Sequence, residues 1–206
     1  MPDGHTPPRG EHVPPPPWPH PACLDDAVLL KQCSVTRGRS GGPGGQNRNK
    51  VETLIELTHV PTGLAAHAGE RRSQAENRGV AVRRLRLVLA VQFRAGVQSG
   101  EVGSALWRSR RRAAPTGRDP RAGSPAHSKW DAGGLGTLTI NPDHSDYPSL
   151  LAEALDVIAA CDWDHKKASL RLECSPSQLV KLLRHHPPAM LMFNARREQA
   201  GLSSVK

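Results

Sequence analysis

The chain has 206 residues, a formal net charge of +9 from 28 Lys and Arg against 19 Asp and Glu, and only 3% aromatic residues. That length holds one or two small domains. The charge favours a polyanionic partner, nucleic acid before membrane, and so few aromatics argue against base-stacking platforms, leaving phosphate and sugar contacts to dominate.

Residues 1–22 carry nine prolines within the first 21 positions. Such a segment cannot build a core and is expected to be a disordered tail. It lacks the apolar region of a signal peptide. Arg9 is its one arginine, and Asp3 and Glu11 are acidic, which makes a poor mitochondrial presequence. No apolar stretch approaches the length of a membrane span. The expected compartment is the cytoplasm.

Residues 23–95 read as an α+β unit. Asp25 and Asp26 precede a short helical stretch, Ala27–Leu30. Cys33–Thr36 reads as a strand that runs into Arg39-Ser40-Gly41-Gly42-Pro43-Gly44-Gly45-Gln46-Asn47-Arg48-Asn49-Lys50. A short helix is expected near Asn47–Glu52. Thr53–Thr58 alternates as a strand, Pro61-Thr62-Gly63 makes a turn, and Leu64–His67 returns as the paired strand. The longest helix follows, with Ser73 and Glu76 spaced as a capping box. Ala81, Leu85, Val88 and Leu89 fall on one face of it. Arg78, Arg83, Arg84 and Arg86 lie mostly off that face and are expected to contact nucleic acid.

Residues 96–130 are rich in Gly, Arg, Ala, Ser and Pro, and read as a flexible basic linker that lies along RNA or acts only as a tether. Residues 131–206 read as a second, small, mainly helical domain. Leu135–Ile140 suggests a strand and Asn141–Asp146 a turn. Pro148 fits the first position of a helix that continues through Leu155. Lys167–Leu183 then reads as helix, tight turn, helix, with Ser175 as cap and Pro176 behind it. Glu173 sits near the turn position where glycine is common. This helix-turn-helix pattern suits simple packing as well as nucleic-acid reading. Cys23, Cys33, Cys161 and Cys174 have no zinc spacing and are expected to be reduced thiols. Cys161 and His165, four apart, are a weak metal pair if they share a helix face, and no metal or cofactor is expected.

Gly44-Gly45-Gln46 is the most informative tripeptide. Adjacent glycines take backbone angles closed to other residues and let the main chain approach a ligand closely. Gln46 offers a backbone N–H and an amide, but no acid, base or nucleophile. Arg37, Arg39, Arg48 and Lys50 surround it with positive charge. Downstream stand Leu57-Thr58-His59-Val60-Pro61-Thr62-Gly63 and Arg72-Ser73-Gln74-Ala75-Glu76-Asn77-Arg78. This ordered set resembles the GGQ catalytic domain of bacterial-type peptide chain release factors, and of the short codon-independent ribosome-rescue proteins that share it, over roughly residues 33–95. Two departures are Asn47-Arg48, where several members have His-Val, and Leu54, at a position often small or basic.

The resemblance implies a small GGQ domain, a short sheet packed by a long helix, with the helical C-terminal domain added to it. It implies hydrolysis of the ester of peptidyl-tRNA at the peptidyl-transferase centre of the ribosome's large subunit. Gly44, Gly45 and Gln46 are then the catalytic tip, and Arg37, Arg39, Arg48, Lys50, Arg72, Asn77 and Arg78 the candidate rRNA contacts. The family's glutamine is commonly methylated, so a glutamine methyltransferase is an expected partner of Gln46. The expected oligomeric state is a monomer. About 40 residues precede Gln46, without a Pro-x-Thr or Ser-Pro-Phe decoding tripeptide, so the expected release is codon-independent. The alternative of another class is a non-catalytic RNA- or DNA-binding protein with a repurposed fold.

Overall fold

The computed structural model describes residues 19–39, 52–97, 103–112 and 136–206. After a 3-10 turn at Pro21–Cys23 come α1 (Asp26–Lys31), β1 (Cys33–Gly38), β2 (Leu54–His59), β3 (Leu64–Ala68) and α2 (Gln74–Gln92). Then follow α3 (Ala105–Arg110), the two-residue strands β4 (Arg111–Arg112) and β5 (Thr137–Leu138), and the helices α4 (Tyr147–Ala159), α5 (His165–Arg171), α6 (Pro176–Arg184) and α7 (Pro187–Gln199). The protein is α+β, with its strands early and a helical part after them.

The three-stranded sheet is an antiparallel meander of order β1-β2-β3, with Cys33 opposite His59 at one end and Gly38 opposite Leu54 at the other. Alternation on β2 buries Ile55, Leu57 and His59 on a single face, as the two-residue period requires. That face receives Ala81, Leu85 and Leu89 of α2, which recur every four residues and are all fully buried,. Val88, expected on the same stripe, is half-buried. The capping box does not form, since Ser73 makes no side-chain cap bond.

α2 also packs against α4, and Leu85, Leu89, Leu151 and Leu155 belong to one buried cluster. Every residue from Tyr147 to Ile158 is buried, because α4 is enclosed by α2, α5 and α6. Its two carboxylates are answered from outside the helix. Glu153 accepts from the Ser104 hydroxyl at 2.6 Å, and Asp156 accepts from Arg94 at 3.1 Å and from the Ala95 N–H at 3.2 Å.

Three segments differ from their sequence readings. His20 and Ala22, at the end of the stretch read as disordered, are fully buried. The His20 ring accepts from the Ala22 N–H at 3.0 Å and makes a 3.2 Å hydrogen bond to the Phe93 carbonyl. The rest of that tail, residues 1–18, lies outside the described residues, as do 98–102 and 113–135 of the expected linker. Within the linker reading, α3 is an ordered helix. Gly103 turns with φ +70°, Ser104 caps by accepting from the Trp107 N–H, and Trp107 is fully buried with its Nε1 donating to the Leu172 carbonyl at 3.0 Å. Finally, Cys161 lies beyond the end of α4 while His165 begins α5, so the two share no helix. Asp162 and Trp163 between them have φ of 55° and 61° and turn the chain sharply.

Candidate functional site

Gly44, Gly45, Gln46, Arg48 and Lys50, with the helix expected near Asn47–Glu52, lie within residues 40–51, outside the described residues apart from Glu52. The structure defines the base from which that segment leaves and to which it returns. β1 ends at Gly38 and β2 begins at Leu54, directly opposite. A Cβ on Gly38 would stand 3.3 Å from Leu54 Cδ2, so glycine permits this close pairing. One residue beyond, Arg39 Nε lies 3.7 Å from Glu52 Oε1 and bridges the two arms.

The descending arm is gripped by the start of α2. Gln74 Nε2 donates to the Glu52 carbonyl, and Asn77 Nδ2 donates to the Thr53 carbonyl at 2.6 Å. Asn77 also donates to the Arg71 carbonyl and accepts from the Arg71 N–H, both at 2.9 Å. Asn77 is fully buried. Its side chain therefore has no open face for RNA. It holds the arm and the 71–73 turn in place, which corrects the expectation of a direct RNA contact. An isolated Asn among arginines gave no sign of this, because its partners are backbone atoms supplied by the fold.

Around this base, Arg37, Arg39, Arg72 and Arg78 are exposed. Arg37, Arg72 and Arg78 have no hydrogen-bond or ion-pair partner among the described residues. Other arginines of α2 are otherwise occupied. Arg83 donates to the carbonyls of Pro142, Asp143 and His144, and Arg86 to those of Ala22 and Leu24 and to Asp26 Oδ1 at 2.7 Å. Arg84 pairs with Glu70 and donates to the His67 carbonyl at 2.9 Å. Of these α2 arginines, Arg78 has no partner among the described residues, whereas Arg83 and Arg86 fasten neighbouring segments to the helix.

The middle motif serves the opposite end of the sheet. His59 is buried, its Nδ1 lies 2.8 Å from Thr62 Oγ1 and its Nε2 3.0 Å from Gln32 Oε1. Burial holds its pKa below the ordinary histidine value, so the neutral ring ties the β2–β3 turn to the end of α1. Gly63 completes that turn at φ +70°. Burial also pushes the Cys23 and Cys174 thiols up to about 12, which keeps them protonated and poor nucleophiles. What the base exposes is cationic: Arg37, Arg39, Arg72 and Arg78.

A family model described as the RF-1 domain matches residues 27–115. The match runs past the sheet and α2 to include α3. Peptide chain release factor 1 of Chlorobaculum tepidum is 56% identical over 63 residues, which is 31% of this chain and 18% of that protein. A chloroplastic peptide chain release factor of Arabidopsis thaliana is 53% identical over 53 residues, 26% of this chain and 12% of that protein. The mitochondrial peptide chain release factor 1 of Bos taurus is 38% identical over 75 residues, 36% of this chain and 17% of that protein. The aligned region spans less than a fifth of the length of each of these relatives. Residues 27–115 are thus similar to the RF-1 domain of peptide chain release factors, and the clamp of Gln74 and Asn77 and the His59 turn lie within that stretch.

Proposed function

We propose that this chain hydrolyses peptidyl-tRNA on the ribosome, without reading a codon, and so frees nascent chains from stalled ribosomes. The observation that carries the reading is the base described above. The segment bearing Gly44-Gly45-Gln46 is joined at both ends to a hydrogen-bonded frame rimmed by Arg37, Arg39, Arg72 and Arg78. A cationic rim suits the phosphates of rRNA and of the tRNA 3′ end.

Water adds to the ester carbonyl, the bond from that carbon to the tRNA 3′ oxygen breaks, and the 3′ oxygen takes the proton as the peptide leaves as an acid. The reaction needs a positioned water and a donor for the developing oxyanion. The Gln46 backbone N–H is that donor, and its side chain orients water and keeps larger nucleophiles out. Gly44 and Gly45 allow the close approach. Arg48 and Lys50 join the rim as further RNA contacts. Gln46 is the substrate residue of a glutamine methyltransferase. The chain acts as a monomer in the cytoplasm, as a GGQ unit over 23–95 joined through 96–130 to the helical unit 131–206. The helical unit packed on α2 is the element that supports a mode of ribosome entry different from codon reading.

The test is peptide release from ribosomes stalled on truncated mRNA, beside a stop-codon complex, isolated large subunits carrying peptidyl-tRNA, and ribosome-free peptidyl-tRNA. Release is expected from stalled ribosomes, at the same rate with a stop codon present. Gln46→Pro, which removes the backbone donor, should lower it about 100- to 1000-fold. Release from neither ribosomes nor large subunits defeats the proposal.

A further inference from the structure

Two groups of cations stand out in the helical part. Arg94, Arg110 and Arg111 are engaged, by Asp156, Asp146 and Glu173 respectively. The second group gathers on α5 and α6. Lys166 and Lys167 are exposed on α5, and Lys181 and Arg184 on α6. None of these four has an ion-pair partner among the described residues. Ser177, Lys181 and Arg184 recur at i, i+4 and i+7, which makes one outward stripe. Between His165 and Arg184 Glu173 is the single carboxylate, and Arg111 holds it. Asp164, just before α5, is occupied in accepting from the Lys166 and Lys167 N–H groups at 2.9 and 3.4 Å.

The two helices are fixed relative to each other. Glu173 sits at φ 50°, the Cys174 N–H donates to the Ser169 carbonyl at 3.0 Å, and Ser175 caps α6 by accepting from the Gln178 N–H at 3.3 Å. Trp107 holds the same turn through the Leu172 carbonyl. Both helices pack on α4, so their cationic faces turn away from it. A merely solvated surface mixes charges of both signs; this one is of a single sign across two preoriented helices.

We infer that the α5–α6 face docks on the phosphates of a ribosomal RNA duplex. The stripe from Ser177 to Arg184 is about 10 Å long, long enough to meet more than one phosphate of a duplex strand. Lysines supply point charges to phosphate and read no bases, and this face bears no aromatic platform. The choice of RNA rests on the ribosomal function proposed above. Since α2 and α4 share one core, docking of this face sets the position of the Arg37–Arg78 rim and of the segment it supports.

The experiment uses the full chain, a variant combining Lys166→Gln, Lys167→Gln, Lys181→Gln and Arg184→Gln, and a Ser177→Glu variant. Binding to ribosomes is measured between 50 and 200 mM salt, and peptide release at saturating protein; thermal unfolding verifies that both variants remain folded. The fourfold variant should make the slope of log affinity against log salt shallower by about 3, and lower affinity at 150 mM salt about 10- to 100-fold. Ser177→Glu should weaken binding in the same sense. An unchanged slope in folded variants overturns the inference. So does tighter binding to a DNA duplex than to an RNA duplex of the same length. A parent chain that binds ribosomes but releases no peptide would instead defeat the proposed hydrolysis, and leaves the salt slope readable.

Discussion

Replacing Asn77 by alanine tests whether a buried amide, remote from any reacting atom, holds the base of the Gly44–Gln46 segment. The substitution deletes three hydrogen bonds, to the Thr53 carbonyl at 2.6 Å and to the carbonyl and N–H of Arg71 at 2.9 Å each. A buried polar group left without a partner costs about 1–3 kcal/mol. The Arg71 groups belong to an exposed residue and regain water, so most of the penalty falls on the Thr53 carbonyl and the lost packing, and about 2–4 kcal/mol is expected. In a protein of this size each kcal/mol lowers Tm by about 2–4 °C, giving a fall of about 4–16 °C. Urea unfolding should show a lower midpoint with unchanged slope, since the same surface is exposed. Asn77→Asp should be no milder, because it loses both N–H donors and sets a carboxylate against two carbonyls. An Asn77→Ala variant within about 0.5 kcal/mol of the parent that also releases peptide at the parent's rate would refute the clamp. If it is stable but releases peptide slowly, the clamp acts on the segment rather than on the fold.

Other outcomes follow from single positions. Gly63 and Gly103 both have φ +70°, but a Cβ on Gly63 meets nothing within 4 Å while one on Gly103 meets Trp107 Cδ1 at 2.8 Å. Gly63→Ala should cost about 1–2 kcal/mol and Gly103→Ala clearly more in the same denaturation assay; equal costs would contradict the α3 packing. Trp107→Ala should lose about 3–5 kcal/mol, and a surface-like loss under 1 kcal/mol would mean that α3 is not docked. Burial lifts the Asp156 carboxyl from 3.8 to about 7, against the pull of Arg94. Its folded value lies above the unfolded one, so the native state binds the extra proton and this group's contribution to stability falls as pH rises from 3.8 to about 7,. His20 acts in the opposite sense: burial lowers it from 6.5 to about 4, and its contribution falls as pH drops through that window. Urea midpoints across this range should lose the first slope in Asp156→Asn and the second in His20→Asn; a pH profile unaltered by Asp156→Asn sinks the assignment.

The parts of this fold legible in the sequence are those whose signal is local. The β2 alternation, the Pro61–Gly63 turn, the Ala81–Leu85–Leu89 stripe and the Ser175-Pro176 start of α6 each need only their own neighbours, and each is found in the structure. Glu173 shows how far such reasoning reaches: the turn geometry demands a left-handed residue there, and glutamate adopts φ 50° because Ser169, Trp107 and Arg111 hold the turn around it. What local signals omit is partnership at a distance. Trp107 sits in an arginine- and glycine-rich stretch whose composition reads as a tether, yet its ring fills a site formed 65 residues later. Composition reports the average character of a segment, whereas one large apolar side chain with a waiting acceptor is enough to dock it.

The same distinction divides the arginines. Clustered in sequence, Arg78, Arg83, Arg84 and Arg86 look alike. In space, Arg83 and Arg86 have backbone carbonyls from the 142–144 and 22–24 segments as partners, and Arg84 has Glu70. A guanidinium with five donors satisfies orphaned carbonyls at a seam as readily as phosphates. The cations left without such partners are the ones open to a ligand, and among the described residues two groups of them are Arg37, Arg72 and Arg78 of the rim and Lys166, Lys167, Lys181 and Arg184 of the α5–α6 face. Because one core runs between them, the two surfaces are held at a fixed separation. A single polyanion large enough to meet both would therefore sense the distance as well as the charge, which short RNA duplexes, reaching one surface at a time, cannot do. Binding to whole ribosomes should accordingly exceed binding to a short duplex by more than the charge count alone requires, and equal affinities at matched salt would show that the two surfaces act separately.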